Sequence, residues 1–363
     1  MLSTYTDKKT KQWIPEKTKV ISPQKLPFGE NLLIGGENKN VLKRLCETGF
    51  AGKIDLVYID PPFATGNTFR KGKRSATISS SHNDEIAYID EKRGNEFIEF
   101  LRERLILLRE LMSNYGSIYL HIDYKIGHYV KVMMDEVFGI KNFRNDITRI
   151  KCNPKNFQRN GYGNYKDMIL FYTKSDQFIW NEPLVERSDE EIARLFDKID
   201  SQGRRYTTNP LHAPGETRNG PTGQAWKGIS PPAGRHWRYG PAMLDELDQK
   251  GLIEWSKNGV PRKIIYAEDY ELKRIQDIWE FKDPQHSLYP TQKNLEMLNL
   301  IIRTSSDVDS IVLDCFCGSG TTLVAADALG RCWIGIDQSH QAIEVAQKRL
   351  GCDKMSFFAL EKR

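Results

Sequence analysis

Two apolar runs at opposite ends of the chain each finish on an aspartate, and this pairing restricts the fold more than any other sequence feature. The first reads "IDLVYIDPPF" from Ile54 to Phe63, and the second reads "IVLDCFCGSGTT" from Ile311 to Thr322. Short, continuously apolar runs are typical of strands that a parallel sheet buries on both faces. In open α/β sheets, ligands bind at the carboxyl ends of such strands. We therefore expect one α/β sheet with strands from both ends of the chain.

Strand and helix patterns alternate through most of the chain. Helical spacing of apolar residues covers "NEFIEFLRERLILLRELMSNYG", and the strand patterns "SIYLHID", "DITRIKC" and "DMILFYTK" follow it. This alternation is expected of a parallel sheet with helices on its faces. The regularity is lost between residues 175 and 283, where "LIEWSKNGVPRKIIYAE" predicts a hairpin that turns at Asn258 and Gly259.

Composition limits the class of protein. The net charge of +5 is too mild to establish a polyanionic partner by itself. The six cysteines form no Cys-x-x-Cys pair and no Cys/His spacing typical of zinc, so we expect free thiols and no metal. No run of 18 apolar residues occurs, and charges occupy the N-terminal stretch where a signal peptide would be apolar. These observations predict a cytoplasmic protein without a membrane partner.

The glycine turn after the second apolar run indicates a nucleoside-cofactor site. Gly318 and Gly320 let the backbone approach a ligand, and Asp337 ends the next strand, where doubly wound sheets hold a ribose diol. The third glycine of the dinucleotide fingerprint is missing, which argues against a dehydrogenase, and no Walker lysine follows the glycines. A cofactor without phosphates, such as S-adenosylmethionine, fits this turn better. For this stretch alone, a tight turn without a ligand is the alternative. Cys315 and Cys317 share one strand face and are interpreted as small buried residues.

The acid and prolines after the first run supply the groups that an exocyclic amine needs in order to act as a nucleophile. The lone pair of such an amine is delocalised into its base until acceptors hold both N–H groups. A carboxylate at Asp60 and a carbonyl from the rigid Pro61–Pro62 segment are two such acceptors. Phe63 offers a face for stacking on a base swung out of the duplex. By itself, Asp-Pro-Pro is equally consistent with a turn that ends a strand.

Together the two motifs resemble the amino-methyltransferases of DNA in their β-class arrangement, in which the catalytic half precedes the cofactor half. "YPTQKNLEMLNLII" is similar to the segment before the cofactor strand in that class, while "PPAGRHWRYG" and "GLIEWSKNGVPRKIIY" resemble type III modification subunits and their solitary relatives. The resemblance implies a Rossmann-like, three-layer α/β methyltransferase fold with a mixed seven-stranded sheet in circularly permuted order. It places the catalytic half at 1–175, an inserted target-recognition region at 176–284, and the cofactor half at 285–363.

The resemblance also implies a role for each matching position. The catalytic motif consists of Asp60, Pro61, Pro62 and Phe63. The cofactor residues are Thr291, Lys293, Asp314, Phe316, Cys317, Gly318, Ser319, Gly320, Asp337 and Gln338. Within this set, Lys293 is expected to pair with the carboxylate of S-adenosylmethionine, with a solvated lysine of the first helical turn as the alternative. Aspartate at position 60 is the adenine pattern of the family, whereas cytosine-N4 enzymes more often carry serine there.

The inserted region has the composition of a DNA-reading surface. Residues 201–240 hold six arginines or lysines against one acid, interleaved with tyrosines and tryptophans. The residues expected to contact DNA are Lys71, Lys73 and Arg74 of an earlier loop and Arg204, Arg205, Arg235, Trp237 and Arg238 of the insertion. A solvated basic loop whose tryptophans pack on the core is the alternative interpretation.

The expected function is methylation of adenine N6 in double-stranded DNA at a defined short sequence, with S-adenosylmethionine as cofactor. Methylation of cytosine N4, action on RNA, and a modification subunit that works with a restriction partner are the alternatives. The resemblance also leaves a homodimer open.

Overall fold

The computed structural model describes residues 29–62, 94–153, 160–283 and 293–351 in full, with the backbone of six short strands outside these ranges. The chain divides into two compact units, one formed by residues 1–183 with 276–363 and the other by 184–275. The predicted insertion, 176–284, is slightly wider than this second unit.

The strands and helices are numbered along the chain. The strands are β1 (Tyr5–Thr6), β2 (Trp13–Ile14), β3 (Lys19–Val20), β4 (Leu32–Gly35), β5 (Ile54–Ile59), β6 (Thr68–Arg70), β7 (Ile86–Ile89), β8 (Met112–Ile122), β9 (Phe143–Ile150), β10 (Lys166–Thr173), β11 (Leu184–Glu186), β12 (Lys198–Ile199), β13 (Arg205–Pro210), β14 (His212–Pro214), β15 (Arg235–Trp237), β16 (Ile253–Trp255), β17 (Pro261–Tyr266), β18 (Leu272–Arg274), β19 (Ile278–Trp279), β20 (Ile311–Asp314), β21 (Cys332–Asp337) and β22 (Ser356–Ala359). The α-helices are α1 (Asn38–Leu45), α2 (Asn95–Leu111), α3 (Tyr124–Phe138), α4 (Asp189–Leu195), α5 (Pro241–Gln249), α6 (Leu295–Ser305), α7 (Thr321–Ala328) and α8 (His340–Leu350).

The first unit contains a ten-stranded sheet in the order β19-β9-β10-β8-β5-β20-β21-β4-β22-β3. Its seven inner strands, from β9 to β4, form the predicted mixed sheet, and three short strands extend the two edges. Strand β20 from the C-terminal part of the chain pairs in parallel with β5 from the N-terminal part. The circularly permuted order is therefore confirmed, because both ends of the chain meet at the centre of one sheet.

Strand β10 departs from the parallel alternation expected from the sequence. It runs antiparallel to both of its neighbours, β8 and β9. No helix lies between β9 and β10 among the residues described there, and two strands without a long crossover connection pair antiparallel.

The helices cover both faces of this sheet. On one face, Val57 and Leu120 belong to a buried apolar cluster that also includes residues of α1, α2 and α3. On the other face, the hydroxyl of Tyr119 lies 2.8 Å from the hydroxyl of Ser305 on α6. This is the three-layer arrangement predicted for the core.

The helix predicted through Gly116 ends earlier, at Leu111. Met112 has an extended backbone and begins β8, where it lies opposite Ile54 of β5. A Cβ at position 116 would come within 2.9 Å of the Ile54 carbonyl oxygen, so the glycine allows the two strands to approach. Met112 is buried, so it continues the apolar spacing of α2 although it belongs to the strand.

The second unit has its own sheet and core. Strands β12, β13, β17 and β16 form an antiparallel sheet in that order. The core residues are Leu211, Trp226, Trp237, Leu244 and Leu247. The hairpin predicted at Asn258 and Gly259 is confirmed, since β16 pairs antiparallel with β17 and Gly259 has a φ of +72° in the turn between them.

Candidate active site

Three carboxylates lie at the carboxyl ends of three adjacent strands. Asp60 directly follows β5, Asp314 ends β20, and Asp337 ends β21. Burial raises the pKa of Asp314 to about 7, and the negative charges of Asp60 and Asp337 add to this effect. Burial also raises the pKa of Asp337. The two sequence motifs therefore lie at neighbouring strand ends of one sheet, as the strand-end argument predicted.

The glycine turn is fixed to the end of β21 by backbone hydrogen bonds. The Gly318 N–H donates to Asp337 Oδ2 at 2.9 Å, and the Ser339 N–H donates to Oδ1 at 2.8 Å. Gly320 has a φ of +76°, and a Cβ there would lie 3.0 Å from the Cβ of Ala346 on α8. Glycine therefore satisfies both the left-handed backbone and the close approach of two helices.

Several predicted cofactor residues shape this turn. Asp314 accepts a hydrogen bond from the Phe316 N–H at 3.0 Å and another from the Thr322 hydroxyl at 2.7 Å. Arg349 of α8 donates to both the carbonyl and the hydroxyl of Ser319, at 2.8 and 3.1 Å. Cys317 is buried, and its N–H donates to the Ile336 carbonyl. A direct contact of these residues with a cofactor stays a prediction.

The cysteines of the turn have no reactive character. Burial raises the pKa of the Cys315 and Cys317 thiols well above the usual value, which keeps them protonated. Their interpretation as small buried residues is confirmed. The free thiols expected for the chain are found at all five described cysteines, and Cys352 lies outside the described residues.

Asp60 is held by a lysine from the far end of the chain. Lys293 Nζ lies 2.6 Å from Asp60 Oδ2, and the two side chains are only 12% and 16% exposed. The other oxygen, Oδ1, is buried and has no hydrogen-bond partner among the described residues. The alternative of a solvated Lys293 is wrong, and its predicted pairing with a cofactor carboxylate stays a prediction.

Three other predicted site residues have no described contact of this kind. Phe63 and Thr291 lie outside the described residues, and Gln338 is exposed.

A buried polar row behind Asp60 was missed by the sequence analysis. The Tyr58 hydroxyl lies 3.0 Å from His121 Nδ1, and His121 Nε2 lies 3.2 Å from Asp167 Oδ2. Burial and the Lys293 ammonium lower the pKa of His121. Burial alone would raise the pKa of Asp167, but hydrogen bonds from His121 and Lys151 hold that pKa below its usual value. The sequence did contain a signal for these residues, because His121 and Asp167 are polar residues within otherwise apolar strand patterns, and buried polar groups need hydrogen-bond partners.

The predicted DNA contacts in the second unit fall into different environments. Arg205, Arg235 and Arg238 are exposed. Arg204 pairs with Asp200 at 2.9 Å, and its guanidinium lies over the ring of Tyr266. Lys71, Lys73 and Arg74 lie outside the described residues.

Trp237 requires a correction. Its side chain is 1% exposed within the core of the second unit, and its indole N–H donates to the Gln224 carbonyl at 3.1 Å. A side chain so enclosed has no surface to offer to DNA. The alternative of a tryptophan packed on the core is the right interpretation at this position.

Comparison with known proteins agrees with this geometry. The family model described as DNA methylase, of the N6/N4 methyltransferase group, matches residues 54–348. The type II methyltransferase M.EcaI of Enterobacter cloacae is 43% identical over 325 residues, which cover 88% of this chain and 69% of that protein. The chain belongs to the N6/N4 DNA methylase family. It is a DNA methyltransferase whose methyl donor is S-adenosylmethionine.

Other relatives of this DNA methylase come from restriction-modification systems. The StyLTI Mod subunit of Salmonella typhimurium is 29% identical over 336 residues, which cover 82% of this chain and 50% of that protein. Among solved structures, the complex of M1.HpyAVI with SAM is 17% identical, with 88% of this chain and 99% of that chain covered and a TM-score of 0.46. The cytosine-N4-specific PvuII methyltransferase is 13% identical, with 91% and 88% covered and a TM-score of 0.46.

The site of this methylase suits S-adenosylmethionine. The strand ends at this site carry carboxyl groups, and the glycine turn has no lysine to pair with a phosphate, so the site offers phosphate groups little electrostatic attraction. Asp337 accepts backbone N–H groups on both of its oxygens, and a carboxylate has about four lone-pair sites, so it can also accept from a ribose hydroxyl. Gly318 and Gly320 both have a positive φ, which glycine adopts without strain, and neither has a side chain that would obstruct a ligand. The residues present therefore fit a cofactor that lacks phosphates.

Two further features of the described residues concern metals and membranes. Their His, Cys, Asp and Glu side chains form no group of three or more that could hold a metal ion. In the same part of the chain, no helix has the length and apolar character needed to cross a bilayer.

Proposed function

We propose that this enzyme methylates the N6 amino group of adenine in double-stranded DNA at a defined short sequence. The observation that carries the proposal is the buried Oδ1 of Asp60, an acceptor without a partner among the described residues, at the end of a strand that pairs with the strand of the glycine turn. An unsatisfied buried acceptor is costly unless a ligand supplies a donor. An N–H of the target amine is such a donor.

The residues around Asp60 supply what an aromatic amine needs to become a nucleophile. Oδ1 accepts one N–H, and the carbonyl of the buried Pro61 accepts the second, which draws the nitrogen towards a tetrahedral shape. Bound S-adenosylmethionine supplies an electrophilic methyl group. The chain contributes mainly orientation and the exclusion of water, because a methyl displacement depends on alignment of the reacting atoms.

The choice of adenine rests on the side chain at position 60. The chain carries aspartate there, which is the adenine pattern in the resemblance described above, and serine is the more frequent residue in cytosine-N4 enzymes. Similarity to the StyLTI Mod subunit supports a role in a restriction-modification system. The enzyme would then act in the cytoplasm, where such systems meet their DNA.

The second unit is the proposed reader of DNA sequence. Its exposed arginines, Arg205, Arg235 and Arg238, have side chains suited to phosphates and to guanine edges. Methyl transfer requires the target adenine to leave the duplex, since the Asp60 carboxylate and the Pro61 carbonyl cannot reach N6 in a stacked base pair.

Product analysis tests the proposal. Double-stranded DNA is incubated with the enzyme and S-adenosylmethionine carrying a labelled methyl group, and the digested nucleosides are separated. We expect label in N6-methyladenine. Label in N4-methylcytosine would contradict adenine as the target base, and the absence of label from DNA would contradict the proposed DNA methylation.

The variant Asp60→Ala tests the role proposed for Asp60. We expect a loss of transfer on the order of 100-fold or more, as for other groups that act only in a transition state, with cofactor binding retained. Strong residual transfer would contradict the role given to Asp60.

A modification subunit that works with a restriction partner is the second candidate. It is favoured by similarity to Mod subunits, although the chain spans only 50% of the StyLTI subunit. Methylation by the purified chain alone would favour a solitary enzyme, and methylation that needs a second subunit would favour this alternative. Light scattering on the same sample measures whether the chain forms the homodimer that the resemblance left open.

A further inference from the structure

Lys293 occupies one oxygen of the catalytic carboxylate in a largely buried contact. Its Nζ lies 2.6 Å from Asp60 Oδ2, while Oδ1 has no partner among the described residues. The two oxygens of one carboxylate therefore have different environments. One is bound to a cation, and the other is open to a donor.

The backbone next to Lys293 is anchored. Asn294 caps helix α6 by accepting the Met297 N–H at 3.0 Å. The side-chain amide of Asn294 also donates to the Lys282 carbonyl at 2.9 Å. Two independent hydrogen bonds thus set the position from which the lysine side chain extends, so that Lys293 is not a mobile surface arm.

The segment that holds Asn294 is itself tied to the polar row behind Asp60. Arg149 of β9 has a completely buried side chain that donates to the Phe281 carbonyl at 2.8 Å and pairs with Asp283. The same guanidinium lies 3.6 Å from Asp167. Asp283 in turn donates its N–H to the Lys151 carbonyl at 2.8 Å.

The row then leads back to the strand that carries Asp60. Asp167 accepts only, so His121 carries its proton on Nε2, and the Tyr58 hydroxyl donates to the bare Nδ1. Tyr58 lies on β5, two residues before Asp60, which directly follows the strand. Hydrogen bonds and ion pairs thus connect the segment that precedes Lys293 with Tyr58, which is a chain neighbour of Asp60.

We propose that Lys293 is a positioning residue for Asp60, which fixes Oδ2 and directs Oδ1 towards the target amine, and that it does not serve as the ligand of the cofactor's carboxylate. This inference rests on the proposed function. A carboxylate held at one oxygen cannot rotate about its axis, so the second oxygen keeps one direction. Removal of the lysine leaves both oxygens free to turn, with the alignment of the amine lost.

The experiment compares Lys293→Met with Lys293→Arg in the full chain. Single-turnover methylation of DNA is measured, together with calorimetric binding of S-adenosylhomocysteine and of methylthioadenosine, which lacks the amino-acid end. For Lys293→Met we expect a rate about 100-fold lower, the effect of a misplaced reacting group. Both ligands should bind within about threefold of the wild-type affinity, because neither loses a contact. Lys293→Arg should recover at least about a tenth of the wild-type rate, since it keeps a cation beside Asp60.

Lys131→Met is the matched control, because it removes a lysine of the same unit that pairs with Asp135 at 2.7 Å on α3. Its rate should equal that of the wild type. If Lys293→Met does not fold by circular dichroism, Lys293→Gln takes its place.

Two results would overturn the inference. One is a neutral variant that keeps the wild-type rate. The other is a neutral variant that loses tenfold or more in affinity for S-adenosylhomocysteine but none for methylthioadenosine, which would assign the lysine to the cofactor's carboxylate. The product analysis of the wild-type enzyme tests the proposed function alone. The rates and ligand affinities of the Lys293 variants test this inference, and the binding measurements need no DNA. The two failures are therefore distinguishable.

Discussion

Asp314→Asn tests whether the buried carboxyl of the glycine turn titrates near neutral pH. Burial raises the pKa of Asp314 from the usual 3.8 to about 7. The folded chain therefore keeps this proton to a higher pH than the unfolded chain does. The free energy of unfolding then falls as the pH rises from the unfolded pKa through the folded pKa of Asp314. At 1.36 kcal/mol per pKa unit, the loss between about pH 5.5 and about pH 8.5 is about 2 kcal/mol.

Asparagine removes this titration with little change in the hydrogen bonds. Its oxygen still accepts the Phe316 N–H, and its amide can donate to the Thr322 hydroxyl, which turns to accept. We expect the variant to gain about 2 kcal/mol relative to the wild type between the two pH values. Urea unfolding of both proteins without cofactor, followed by circular dichroism, measures the difference. A difference that stays constant with pH would refute the reasoning.

Three further predictions concern the turn and the DNA surface. Gly320→Ala should lower the free energy of unfolding by about 1–3 kcal/mol, because φ is +76° there; an unchanged melting temperature would contradict this. Asp337→Ala should weaken binding of S-adenosylhomocysteine by about tenfold or more, through loss of the acceptor and of the anchored turn; equal affinity would contradict the assignment. Charge reversal at Lys71, Lys73 and Arg74 should weaken DNA binding and flatten its salt dependence, and an unaltered slope would exclude phosphate contacts.

The strand ends that carry the predicted catalytic and cofactor motifs could be located from the sequence because each depends on local chemistry. A strand that ends in Asp-Pro-Pro and a strand that ends in Asp before a glycine turn are short patterns with direct backbone causes. The hairpin at Gly259 was predictable for the same reason, since its turn requires a positive φ.

Other features had no local signal of sufficient strength. The end of α2 at Leu111 depends on pairing of the next residues with β5, and apolar spacing alone continued the helix. The basic and aromatic composition of residues 201–240 did not show which side chains are enclosed, so Trp237 was assigned to DNA although it fills the core of the second unit.

The sequence by itself determined the chemistry available to this protein: a carboxylate beside two prolines, a glycine turn without a phosphate-binding lysine, and a family pattern that joins them. The tertiary structure decided which groups act on each other. Lys293 lies more than two hundred residues from Asp60 along the chain, and only the pairing of β5 with β20 and the anchoring of α6 bring the two charges to 2.6 Å. The same holds for Tyr58, His121 and Asp167, since a hydrogen bond depends on distance and direction in space, and these follow from strand order rather than from sequence spacing.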